Sequence, residues 1–112
     1  MKDSVNQLIN LIEEGKVIEI CNIFYDENVL MLNNGIIFAQ NKKEAYLRYK
    51  VLEVTIKDFD IELCSKKIVG NVSELIFNYK LTNINDVKYE FVGKHLQTWE
   101  DLKIIREEYI SL

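Results

Sequence analysis

The apolar positions of this chain follow two periods in succession. Val5, Leu8, Ile9 and Ile12 recur at helical spacing, with Ser4 and Gln7 placed as a capping box in front of them. Gly15 stands where a left-handed residue closes a helix. A second helical stretch, Val17 to Tyr25, puts Val17, Cys21, Phe24 and Tyr25 on one side, and Asp26-Glu27-Asn28 is read as its break. Val29 to Leu32 is a short apolar strand candidate, turned by Asn33-Asn34-Gly35. Asn41 with Glu44 then opens a third helix that reaches about Leu52.

Beyond that helix the period becomes two. Glu53 to Cys64 reads as one long strand, its alternation shifting near Asp58-Phe59-Asp60 as at a bulge. From Val72 to Thr82, Ser73, Leu75, Phe77, Tyr79 and Leu81 share one face; Val72, Glu74, Ile76, Asn78 and Lys80 share the other. Asn83-Ile84-Asn85-Asp86 connects this strand to Lys88–Glu100, which aligns Tyr89, Phe91, Gly93, His95, Gln97 and Trp99. Asp101-Leu102 turns into a last strand, Lys103 to Ile110. Three helices followed by a four-strand antiparallel meander make an α+β plan. With no repeat or linker, residues 1–112 are expected to form a single domain.

Composition narrows the function classes. At 112 residues, 48% hydrophobic and 29% charged, the chain has the make-up of one folded domain rather than a disordered segment. Its 14 basic residues are outnumbered by 18 acidic ones and are scattered, so no cationic face for nucleic acid is expected. No apolar run approaches the roughly 20 residues of a membrane span. Met-Lys-Asp-Ser at the start lacks a signal-peptide block, which points to the cytoplasm. Cys21 and Cys64 belong to no CxxC motif and there is one histidine, so no zinc site can be assembled. Neither metal nor cofactor is expected.

The segments Gly15-Lys16-Val17, Phe24 to Val29 and Lys43-Glu44-Ala45 resemble the N-terminal half of the nuclear transport factor 2-like superfamily. His95 to Glu107, through Trp99-Glu100-Asp101-Leu102-Lys103-Ile104, resembles its closing hairpin. Leu102 stands where that turn usually has glycine. The likeness is greatest to the SnoaL-like and ketosteroid-isomerase-related branch. It implies a cone-shaped α+β fold, with three N-terminal helices packed on a strongly curved antiparallel sheet and an apolar cavity at the open end. It also implies a homodimer through the outer face of the sheet. The isomerase's general base falls on Leu32, its tyrosine donor on Leu8, and its protonated aspartate on His95. Leucine neither accepts nor donates a proton, so the isomerase mechanism is not expected.

His95 is therefore the leading candidate, as ligand contact or as catalytic acid–base group. Phe77, Tyr79 and Trp99 are expected to line the pocket beside it, with Leu32, Tyr25 and Tyr49 at its helical side. Glu74 and Glu90 fall on the opposite, solvated face, and Arg106, Glu107 and Glu108 read as ion pairs of the last strand. The expected function is binding of a small, largely apolar molecule. The alternatives are a non-catalytic interaction and dimerisation module with a filled cavity, or a cyclase- or dehydratase-like enzyme using His95.

Overall fold

The computed structural model describes every residue from Met1 to Leu112. Helix α1 spans Lys2–Glu13, α2 spans Val17–Phe24 and α3 spans Lys42–Thr55. The strands are β1 (Tyr25–Asn33), β2 (Ile36–Ala39), β3 (Ile56–Val69), β4 (Val72–Asn83), β5 (Lys88–Glu100) and β6 (Lys103–Ser111). They form one sheet in the order β2-β1-β6-β5-β4-β3. The helices pack on it, and Val5, Leu8, Ile9, Cys21, Phe24, Leu75, Phe77 and Ile104 lie in the shared core. The architecture is the α+β cone that the family resemblance implies.

Local signals explain most boundaries. Gly15 (φ +69) ends α1 as anticipated: its N–H reaches Ile12 O at 3.0 Å, and Lys16 N–H reaches Leu11 O at 2.9 Å. That pair of bonds is a Schellman motif. The same glycine lets the Phe59 ring rest against the backbone, because a Cβ there would meet the ring at 2.5 Å. Asn41 caps α3, its side chain accepting from Glu44 N–H at 2.9 Å. The capping box of Ser4 and Gln7 does not form, because α1 begins earlier, with Met1 at its N-cap.

Three differences matter for the site. Asp26-Glu27-Asn28 does not interrupt the chain; an Asx-type bond from Asn28 N–H to Asp26 Oδ2 (3.0 Å) carries it along as part of β1. Tyr25 accordingly begins β1 instead of ending α2. Ile36–Ala39, too short to stand out by alternation, pairs with β1 as an extra strand. With Val29–Leu32 and the four meander strands, this makes six strands in one sheet, antiparallel except where β1 runs parallel to β6. That one parallel pair sets Tyr25 and Met31 beside Ile104 and Glu107. β3 starts at Ile56 and runs to Val69, with its ladder shifted between Ile56 and Asp58 and again between Leu63 and Ser65.

Candidate functional site

The concave side of the sheet and the helices enclose a cavity of about 440 Å³. Hydrophobic residues are 17 of the 22 that line it, so it favours an apolar occupant. Leu8, Leu32, Tyr25, Tyr49, Tyr79 and His95 stand on its wall, together with Phe38, Phe91, Tyr109 and Glu107. No lysine or arginine lines it. Gly93 makes room for one of these walls: a Cβ there would meet the Tyr109 ring at 2.3 Å, so only glycine lets that ring lie on β5.

Phe77 and Trp99 are not on the wall, contrary to expectation. Phe77 is fully buried beneath it, 5.8 Å edge-on from the His95 ring. Trp99 packs edge-on against Phe24 at 5.8 Å, at the closed end of the core. Both point to the concave side as the alternation requires, but the helices cover their positions. Glu74 stays outside, 3.8 Å from Lys94.

The decisive residue is Glu107, which the sequence suggested to be a surface ion pair. It is buried, and it lines the cavity. Tyr25 OH donates to its Oε1 at 2.7 Å, and Gln97 Nε2 donates to its Oε2 at 2.7 Å. Gln97 in turn accepts from Ser73 OH at 2.6 Å, and Ser73 Oγ accepts from the Trp99 indole N–H at 2.8 Å. An indole N–H can only donate, so the polarity of the row is fixed and every proton points towards Glu107. Tyr49 OH, 3.4 Å from Tyr25 OH, extends the second arm of donors. A carboxylate, which only accepts, is the one side chain that can terminate both arms. The signal was available in part: Ser73, Gln97 and Glu107 face one another across β4, β5 and β6, but that register belongs to the sheet.

His95 sits one step along β5 from this row. Its Nε2 and Tyr79 OH are 2.6 Å apart. Its Nδ1 is buried with no hydrogen-bond partner and stands 3.8 Å from Glu107 Oε2, an electrostatic contact too long for a hydrogen bond. A proton on Nδ1 faces the carboxylate, and the Nε2 lone pair then accepts from Tyr79. Burial pushes the Glu107 carboxyl up, but the neighbouring imidazole and the donors Gln97 and Tyr25 outweigh it, leaving the group below its ordinary range. Tyr25, Tyr49 and Tyr79 are all pushed up, first by burial and then by the Glu107 charge. They are neutral phenols at physiological pH. The site thus offers an imidazole backed by a carboxylate, phenolic donors and an apolar chamber. No cluster of His, Cys, Asp and Glu capable of holding a metal is present.

No family model and no curated protein matches the sequence. Solved structures do match in shape. A protein described as a SnoaL-like polyketide cyclase from Jannaschia sp. CCS1 superposes with a TM-score of 0.82 at 10% identity, over 98% of this chain and 85% of its own. A protein of ketosteroid isomerase-like fold from Catenulispora acidiphila, solved with trimethylamine, gives 0.78 at 7% identity, over 96% and 83%. A nuclear transport factor 2-like protein of unknown function from Exiguobacterium gives 0.80 at 9% identity, over 97% and 98%. The chain has the nuclear transport factor 2-like fold, shared with SnoaL-like and ketosteroid isomerase-like proteins. At these identities the likeness extends to the fold alone, and one fold hosts many chemistries. No helix is long and apolar enough to cross a membrane.

Proposed function

We propose that this protein binds a small, largely apolar molecule in the cone cavity, with His95 as the principal polar contact. The observation that carries this reading is the apolar chamber of about 440 Å³ that converges on a buried, half-satisfied imidazole. Ligand pockets commonly have volumes of a few hundred cubic ångströms. A thermal-shift screen of apolar carbonyl compounds tests it. A compound that raises the Tm of the wild type, and does so less for His95→Ala, supports the assignment. No shift with any compound, or a shift indifferent to His95, refutes it.

A second reading, an acid–base enzyme of cyclase- or dehydratase-like type, is favoured by one feature. Glu107 stands 3.8 Å behind Nδ1 and Tyr79 OH is 2.6 Å from Nε2, so the imidazole is held between a buried carboxylate and a phenol, an arrangement of the kind that general acid–base chemistry uses. Leu8 and Leu32 still supply no acid or base, so the isomerase chemistry is not revived. The filled-cavity interaction module is the weakest reading, because Leu8, Leu32 and the tyrosines leave the chamber open. A cytoplasmic homodimer through the outer sheet face completes the proposal. Ile76, Val92, Leu96 and Ile110 give strands β4 to β6 a partly exposed apolar surface for a second copy, and light scattering tests the dimer.

A further inference from the structure

Apart from the His95 imidazole, the ionised side chains on the cavity wall are acidic. The charged or chargeable wall residues, the phenols apart, are Glu53, Glu107 and His95. An anion entering it would meet two carboxylates and find no lysine or arginine. Glu107 has acceptor capacity to spare: its two oxygens offer about four acceptor directions, and Tyr25 and Gln97 fill two of them. His95 Nδ1 at 3.8 Å does not fill a third.

Aromatic rings share the cavity wall with that carboxylate. Tyr25 and Tyr49 lie together at 6.4 Å between centroids, with Phe38 5.5 Å from Tyr49. Across β5 and β4, Tyr79 stacks on Phe91 at 4.9 Å, and Tyr109 meets the His95 ring at 5.3 Å. Ring faces attract cations, most strongly where water is excluded. The negative potential of Glu107 reaches these rings, since it contributes to holding the Tyr25, Tyr49 and Tyr79 phenols neutral.

We infer that the preferred occupant of this cavity is a small organic cation, a protonated alkyl- or arylalkylamine, held by Glu107 and the flanking tyrosine faces. This rests on the pocket proposed above, specifies the class of its ligand, and for that class makes Glu107 rather than His95 the main polar contact. A tertiary ammonium suits the chamber because its alkyl groups meet apolar walls and cage faces, while its single N–H supplies the donor that Glu107 lacks. Its charge is spread and weakly hydrated, so entering the chamber costs less than it would for a primary ammonium.

The test compares N,N-dimethylbenzylamine, protonated at neutral pH, with its uncharged isostere isobutylbenzene and with the anion phenylacetate. Binding is measured by nuclear magnetic resonance titration. The expected result is that the amine binds at least about tenfold more tightly than isobutylbenzene, as one ammonium N–H donated to the Glu107 carboxylate implies, and that phenylacetate does not bind. Glu107→Gln is expected to bring the amine-to-isostere ratio, measured within the variant itself, close to one. Isobutylbenzene binding as well as or better than the amine overturns the cation inference and leaves the apolar pocket standing. Failure of both amine and isostere overturns the pocket as well. A tenfold preference that survives Glu107→Gln overturns the role given to Glu107. Should that variant not fold, the wild-type comparison alone decides.

Discussion

Replacing Glu107 by glutamine changes almost no volume but breaks the logic of the buried row. The carboxylate terminates two arms of donors, Tyr25 OH and Gln97 Nε2, each at 2.7 Å. An amide in its place must turn its own NH₂ towards one of them, leaving two buried donors face to face. Flipping Gln97 does not help, because Ser73 would then receive protons from both Gln97 and the Trp99 indole and lose the acceptor for its own. At least one buried donor goes unsatisfied, at about 1–3 kcal/mol. With Tm moving about 4 °C per kcal/mol for a domain of this size, the expected fall is about 4–12 °C. The double variant Gln97→Glu with Glu107→Gln offers a direct check. The carboxylate, moved to the β5 position, would accept from Ser73 and from the new amide on β6, whose oxygen accepts from Tyr25, so every donor is satisfied again. Urea unfolding of the four proteins in the cycle should show the double variant recovering most of the loss. Glu107→Gln within about 0.5 kcal/mol of wild type, or a double variant whose losses simply add, refutes the polarity argument.

Glu107 also predicts an acid response. Its carboxyl lies below the ordinary value in the folded protein, so its contribution is complete above about pH 4.3, the unfolded reference, and is lost as pH falls through the lower folded value. Urea midpoints measured from pH 6 to pH 3 should fall more for wild type than for Glu107→Gln; equal slopes refute the assignment. Leu102 and Asp101 occupy the β5–β6 turn at φ +65 and +50, a conformation that costs leucine about 1–2 kcal/mol. Because Leu102 is exposed, Leu102→Gly should raise Tm by about 2–4 °C after its greater unfolded-state entropy is subtracted, whereas Leu102→Ala should not. Gly93→Ala should drive the Tyr109 ring off β5 and destabilise by about 1–3 kcal/mol. Adding Tyr109→Ala should remove the clash, and calorimetry of the pair that found purely additive losses would count against the contact.

Much of this protein could be read from residue order alone. The Val5–Leu8–Ile9–Ile12 stripe and Gly15 define α1, Asn41 and Glu44 start α3, and the two-residue period from Val72 onward places His95 and Tyr79 on the concave face. These are local facts, because helix caps, turn glycines and alternation depend on neighbours within a few residues. Tertiary structure decided what alternation cannot: how far along a face the helices cover it. Phe77 and Trp99 share a face with His95, yet lie under the helices rather than on the cavity wall. The rank of Glu107 was likewise decided by the fold. In the sequence it sits among Arg106 and Glu108 as one more charge, and the Arg106–Glu108 contact at 3.5 Å does form. Only the register of β4, β5 and β6, together with β1 lying parallel to β6, lines up Ser73, Gln97, Glu107 and Tyr25. Residues up to 82 positions apart complete that row, so the charge is specified by the sheet that closes round it.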